Sequence, residues 1–182
     1  MTSDEELLDA ALHRDEAAFT SLYRRRQGAV YRFALHMSGD AAVSEDVTQE
    51  VFMALLESGG RFDPARGTLL SFLYGIARNL LLRRLEKKRP EHSEASADEL
   101  AADDDVLDDL TRRETIEAVR SAVLSLPAPY REAVVLCDLE NASYEDAAAA
   151  LECPVGTVRS RLSRGRAMLG QKLAVKTVRS MS

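Results

Sequence analysis

The stretch "PEHSEASADELAADDDVLDD", from Pro90 to Asp109, constrains this chain more than any other part of it. It is made of Ala, Ser, Asp and Glu with few large apolar side chains. Burial there cannot offset the conformational entropy lost on ordering, and the segment reads as a flexible acidic linker over residues 90–113, with a short helix near Val106–Leu110. Two units remain, 1–89 and 114–182, each near the small end of the range for a folding domain.

Both units read as helices throughout, which makes the expected fold class all-α: two small helical domains joined by the linker. The composition agrees, with 46% hydrophobic residues, 5% aromatic and no Trp, because Ala, Leu and Val fill the interiors of small helical bundles. In the first unit Leu7, Leu8, Ala11 and Leu12 form one apolar stripe. Phe19, Leu22, Tyr23, Val30, Phe33, Ala34 and Met37 continue at helical spacing. Gly39–Asp40 breaks the pattern, and Ser44 is placed to cap the next helix, "EDVTQEVFMALLES". Its Val47, Val51, Phe52 and Leu55 turn inward, leaving Asp46, Gln49, Glu50 and Met53 outside. "SGGRFDPARGT" is a Gly- and Pro-bearing loop, followed by a helix with the stripe Leu69, Phe72, Leu73, Ile76 and Leu80.

In the second unit a helix near Glu114–Leu124 precedes a helix start set by Pro127 and Pro129. Ser143 with Asp146 has the pattern of a capping box, so a helix begins there and ends near Leu151. A tight turn holds Cys153, and Pro154 opens a second, basic helix. Short helix, tight turn and basic helix outline a helix-turn-helix.

The net charge of −6 conceals two basic segments. Residues 61–89 hold eight bases against two acids, and residues 155–182 hold seven bases and no acid, whereas residues 90–110 hold nine acids and no base. Such a distribution suggests two contacts with a polyanion. On the last helix Val155, Val158, Leu162, Gly165, Leu169 and Leu173 share one face, with Gly165 permitting close approach to a neighbour. Gly156, Thr157, Ser160, Ser163, Arg164 and Ala167 lie opposite, and Arg159 and Arg161 flank them. Small residues bordered by arginines suit a helix entering a major groove: small groups meet base edges, and cations reach guanine or phosphate.

His13, His36 and His92 are scattered, and Cys137 and Cys153 have no disulfide or zinc spacing, so neither an enzyme nor a metal or other cofactor is expected. The acidic N-terminus lacks a signal-peptide pattern and no apolar run reaches the length of a membrane span, from which a cytoplasmic location and no direct membrane insertion are expected.

Four segments, "EDVTQEVFMALLE", "FDPARGTLLSFLYGIARN", "LPAPYREAVVLCDLENASYEDAAAAL" and "CPVGTVRSRLSRGRAML", resemble in order the motifs of the bacterial extracytoplasmic-function (ECF) sigma factors of the sigma-70 family. The resemblance spans roughly Ala18 to Leu173. It implies a dissociable subunit of RNA polymerase that directs promoter-specific initiation. Residues 1–89 correspond to region 2, which binds the clamp helices of the β′ subunit and opens the −10 element. Residues 114–182 correspond to region 4, which reads the −35 element and touches the β flap. The linker passes through the polymerase near its active-site and RNA-exit channels. By matching motif, Asp46, Gln49 and Glu50 are implied polymerase contacts. Arg61, Arg66, Arg78, Asn79 and Arg83 are implied at the −10 element, with Asn79 offering donor and acceptor edges to a flipped base. Arg159, Ser160, Arg161, Ser163 and Arg164 fall at the −35 element. An anti-sigma factor is an implied partner. Two departures stand out: Phe72 where the family usually has Trp, and Leu82–Arg83 where an Asp is frequent. The competing reading is a helix-turn-helix operator-binding regulator acting without being a polymerase subunit. It requires a sensory pocket in the first unit, where the sequence offers an acidic helix followed by a basic loop and helix.

Overall fold

The structure, a computed structural model, describes residues 2–87 and 108–180. The described part of the chain is all-α. The helices are α1 (Asp4–Leu12), α2 (Glu16–Ser38), α3 (Ala41–Ser58), α4 (Leu69–Lys87), α5 (Asp108–Leu124), α6 (Ala128–Val134), α7 (Tyr144–Leu151) and α8 (Val155–Ser180). Most of the expected acidic linker, residues 90–107, lies outside the described residues, as does His92. The helix expected from Glu114 begins earlier, at Asp108, so part of the segment expected as linker is helical.

Local chemistry sets the helix ends. Ser3 and Glu6 form a reciprocal capping box on α1. Asp15 caps α2 through the N–H groups of Ala17 and Ala18. Gly39 closes α2 in the left-handed conformation, φ 71°. The cap of α3 is Asp40, whose carboxylate accepts from the Val43 N–H at 3.0 Å, and not Ser44. With Asp40 directly behind the αL glycine, the helix starts one turn earlier than expected. Ser44 is then buried within it and donates back to the Asp40 carbonyl at 2.6 Å. Asp4 straps α1 to α2 by accepting from Arg25 and Arg26 at 2.8 and 2.6 Å.

α2, α3 and α4 pack around Leu22, Val30, Phe33, Val47, Val51, Phe52, Leu55, Leu69 and Leu73, with α1 laid across α2. On α1, Leu7, Leu8 and Ala11 are buried, while Leu12 stands at the exposed edge of the expected stripe. On α4 the buried residues are Leu69, Leu73, Tyr74, Ala77 and Leu81, and Phe72, Ile76 and Leu80 are half-buried. The stripe is broader than the sequence pattern because α4 is covered twice, by α2 and α3 and by α7.

That second cover joins the two units. Val123, Val135, Leu136, Ala147, Ala150, Leu151 and Val158 belong to the same continuous core as the first unit, and a smaller cluster of Leu126, Ala133, Val134 and Leu162 lies beneath α8. α4 and α7 meet closely at Gly75, where a Cβ would stand 3.4 Å from the Ala150 carbonyl oxygen. Between α6 and α7 the helix widens into a π-helical stretch, Val135–Leu139. The extra residue in that turn carries Glu140 to the junction between the units.

Candidate nucleic-acid interface

The helix-turn-helix is α7, a turn at Glu152–Pro154, and α8. Ser143 caps α7 by accepting from the Asp146 N–H at 3.0 Å, and Glu152 ends it in the left-handed conformation, φ 50°. The Pro154 carbonyl accepts from Thr157 and Val158, which starts α8. Val158 and Leu162 are buried beneath α8. Gly165 allows α6 to approach: a Cβ there would lie 2.7 Å from Val134 Cγ2 and 3.1 Å from the Tyr130 carbonyl oxygen.

On the outer face Gly156, Arg159, Ser160, Ser163, Arg164 and Ala167 are exposed, whereas Thr157 is half-buried. The arginines differ. Arg164 has no hydrogen-bond or ion-pair partner among the described residues. The Arg159 guanidinium lies over the Tyr144 ring, 5.6 Å from its centroid, and is thereby oriented from α7. Arg161 is half-buried against Cys153, with Nη1 4.0 Å from Sγ. Arg166 is held by Asp138 through two bonds, at 3.0 and 2.6 Å, which raise its pKa further. The Ser160 hydroxyl, on the exposed face, donates to the Thr157 carbonyl at 3.0 Å.

In the first unit Arg61 and Arg66 are exposed on two single 3-10 turns, Gly59–Arg61 and Pro64–Arg66. The loop is pinned to α4 by Phe62 and Phe72, whose rings lie 5.7 Å apart, so Phe72 has a packing partner of its own. Asn79 and Arg83 are exposed one turn apart on α4. Arg78 is turned away from them: its Nε donates to Glu132 of α6 at 2.8 Å. On α3 Asp46, Gln49 and Glu50 are exposed with Met53, which is 64% exposed. Glu50 pairs with Arg84, and Gln49 borders a cleft of about 380 Å³ between α2 and α3, lined also by Tyr23, Gln27, Tyr31 and Glu45.

The sequence reading missed the polar junction between the units. Glu132, Glu140, Asp146 and Arg131 reach across it. Glu140 accepts from Arg32 at 3.1 Å and from the Tyr74 hydroxyl at 3.3 Å. Burial raises its pKa against the opposing effect of those bonds. Burial raises the Tyr74 pKa as well. Burial lowers the pKa of His36, and Arg120 and Arg32 lower it further. For Asp146, burial is outweighed by hydrogen bonds from Ser143, Thr68 and Ser71, and its pKa falls. One signal in the sequence pointed here: in "EAVVLCDLE" two carboxylates bound an apolar run, where one helical face must bury at least one of them.

The model of Sigma-70 region 2 matches residues 22–91, and that of Sigma-70 region 4 matches residues 116–169. The chain is 38% identical over 167 residues to the ECF RNA polymerase sigma factor SigE of Mycolicibacterium smegmatis. This chain is an ECF sigma factor of the sigma-70 family. The SigE match covers 88% of this sigma factor and 64% of the relative's length. The RNA polymerase sigma-H factor of Pseudomonas aeruginosa is 33% identical, with 93% of each chain covered. Among solved structures, this sigma factor is similar to CnrH in complex with the cytosolic domain of CnrY (TM-score 0.72, 26% identity, 94% of this chain and 97% of that one). It is also similar to RpoE in complex with the anti-sigma factor NepR from Bartonella quintana (TM-score 0.70, 28% identity, 86% and 97%).

Membership sets aside the operator-binding alternative, since a sigma factor directs transcription initiation as a subunit of RNA polymerase. It also makes the chain a non-enzyme, the chemistry belonging to the polymerase. One expectation is corrected. Among the described residues no helix is long and apolar enough to cross a membrane. That is a property of the helices and assigns no compartment, so the cytoplasmic reading has no support in the fold or the relatives.

Proposed function

We propose that this sigma factor reads a −35 element with α8, engages a −10 element with the loop Arg61–Ser71 and α4, and docks on the β′ clamp helices with α3. The observation that carries the −35 assignment is the outer face of α8: small residues flanked by cations, on a helix held behind a capped α7 and a tight turn. Ser160, Ser163 and Arg164 then meet base edges, and Arg159 and Arg161 border them. Exposed Arg61, Arg66, Asn79 and Arg83 support a single-strand site, with cations for phosphates and the Asn79 amide for a flipped base. Arg78 joins them only once released from Glu132. The α3 face offers Asp46 and Gln49 without a stabilising duty toward the core. Region 4 also contacts the β flap in this reading. The acidic segment ahead of α5 follows the nucleic-acid path of the polymerase in this reading.

CnrH is in complex with the cytosolic domain of CnrY and RpoE with the anti-sigma factor NepR, and we infer a partner of the anti-sigma class for this chain too. The deciding experiment is run-off transcription with core polymerase on a promoter library, comparing wild type with Asp46→Ala/Gln49→Ala. Promoter-specific transcripts that the double variant loses through weaker core binding support the assignment. Unchanged core affinity in a folded double variant removes α3 from the interface.

A further inference from the structure

Arg159, Arg161, Arg164 and Arg166 follow one another along α8, and their surroundings give them different freedoms. Arg166 is held by Asp138 through Nε at 3.0 Å and Nη2 at 2.6 Å. Arg161 is half-buried against Cys153. Arg164 is exposed and has no partner among the described residues. Arg159 combines features of both kinds. It is exposed and makes no hydrogen bond or ion pair among the described residues, yet its guanidinium lies over the Tyr144 ring, 5.6 Å from the centroid. A guanidinium above an aromatic face uses its π surface there and keeps its N–H edge for an acceptor.

The ring is a fixed platform. Tyr144 opens α7 directly after the Ser143 cap and is half-buried against the cluster of Leu126, Ala133, Val134 and Leu162. Tyr144 and Arg159 stand on the two helices of the motif, so their contact draws Arg159 toward α7. In a helix-turn-helix the second helix lies in the major groove while the first crosses the sugar-phosphate backbone. The α7 flank of α8 therefore faces a strand, and the face bearing Ser160, Ser163 and Arg164 meets base edges. An arginine leaned on Tyr144 meets phosphate. Without the ring, the same side chain would sample many rotamers, and DNA binding would have to freeze it.

We propose that Tyr144 is a positioning residue for promoter binding: its ring holds the Arg159 guanidinium on the α7 flank of α8, where it takes a phosphate, and base reading is left to Ser160, Ser163 and Arg164. The proposal rests on the −35 reading of α8 and adds the group that orients one of its cations. The ring acts by preorganisation, through Arg159. Its effect is that of one exposed cation–π contact, about two- to fivefold in affinity.

The test is a double-mutant cycle in full-length protein assembled with core polymerase. The holoenzymes are titrated on promoter duplexes with single-base changes in the −35 element, at several salt concentrations. Arg159→Ala should weaken every duplex alike and lower the salt slope by about one. Tyr144→Leu keeps an apolar side chain on the cluster and removes the π face, and it should weaken every duplex about two- to fivefold. Tyr144→Phe, which keeps the ring, should recover most of that loss. In the Arg159→Ala background Tyr144→Leu should cost nothing further. Equal costs of Tyr144→Leu in both backgrounds would overturn the proposal, since Tyr144 would then only support the fold. A changed preference at one base pair in Arg159→Ala would overturn it as well, by making Arg159 a base reader. If Arg159→Ala and Arg164→Ala both leave affinity unchanged, the −35 reading of α8 itself fails and takes the positioning role with it. A loss confined to Arg164→Ala leaves that reading standing and removes only the role of Tyr144. In the free protein, the Arg159 Nε–H resonance should carry a ring-current shift that Tyr144→Phe keeps and Tyr144→Leu abolishes. A resonance indifferent to both substitutions would overturn the contact on which the proposal stands.

Discussion

Arg131 offers a prediction whose size follows from its hydrogen bonds. Its guanidinium donates to three carbonyls, those of Met37 at 2.7 Å, of Leu124, and of Leu126 at 3.0 Å. Met37 and Leu124 lie in the last turns of α2 and α5, where carbonyls have no partner within the helix. A single side chain thus closes two helix ends and the corner into α6. Arg131→Met keeps the apolar stem and removes every donor. Each bond to a charged donor contributes about 1.5–3 kcal/mol, but water reaches part of this half-buried site and re-satisfies some carbonyls. A net loss of roughly 3 kcal/mol is expected, equivalent to a fall in melting temperature of about 6–12 °C for a chain of this length. Arg131→Lys, with one compact ammonium in place of a fork, should fall between the two. The assay is thermal unfolding of full-length protein followed by circular dichroism. A fall of less than about 2 °C in Arg131→Met would refute the reasoning, showing that solvent replaces the guanidinium at little cost.

Three further outcomes are expected. Arg164→Ala should relax preference at one or two −35 positions, by about 1–3 kcal/mol against the preferred base, while Arg161→Ala should weaken all duplexes alike and lower the salt slope by about one; full-length holoenzyme titrated on single-base duplex variants at several salt concentrations separates them, and an even loss for Arg164→Ala makes it a phosphate contact. Gly165→Val should destabilise by about 2 kcal/mol, because its Cβ falls on Val134 and the Tyr130 carbonyl, and an unchanged urea midpoint would contradict that packing. His36 sits 4.0 Å from Glu140 with its pKa held below 6.5, so the folded state takes up fewer protons than the unfolded chain. Stability from this site is present above pH 6.5 and is lost as the pH falls below it, whereas the raised pKa of Glu140 acts in the opposite sense toward 4.5. His36→Gln should therefore flatten the decline of melting temperature between about pH 7.5 and 5.5; an unaltered slope would place the titration elsewhere.

Helix positions, the helix-turn-helix and the inward face of α8 were legible in the sequence because each depends on neighbours within a few turns. Val158, Leu162 and Gly165 are spaced at helical intervals, and Ser143 finds its capping partner three residues away. Where a local signal had a nearer rival, it misled: Ser44 looked like a cap, but Asp40 follows the αL glycine directly and takes that role. The exposure of Asp46, Gln49 and Glu50 on α3 follows from the same periodicity, since their opposite face is Val47, Val51 and Leu55.

The relation between the halves was not legible. Arg78 reads in sequence as one more cation of a basic helix, and only the fold shows it turned toward Glu132, which is 54 residues away in the chain. Tyr74 stands outside the apolar stripe expected for α4 and is buried against Phe33 of α2, with its hydroxyl on Glu140 of the second unit. Helical periodicity reports that a face is apolar and stays silent about which distant surface will cover it. The sequence alone determined two helical units and a basic last helix, because those follow from local hydrogen bonding and the period of side chains. Tertiary structure decided that the units share a core and that acids of one hold donors of the other, because such contacts depend on where remote helices come to rest.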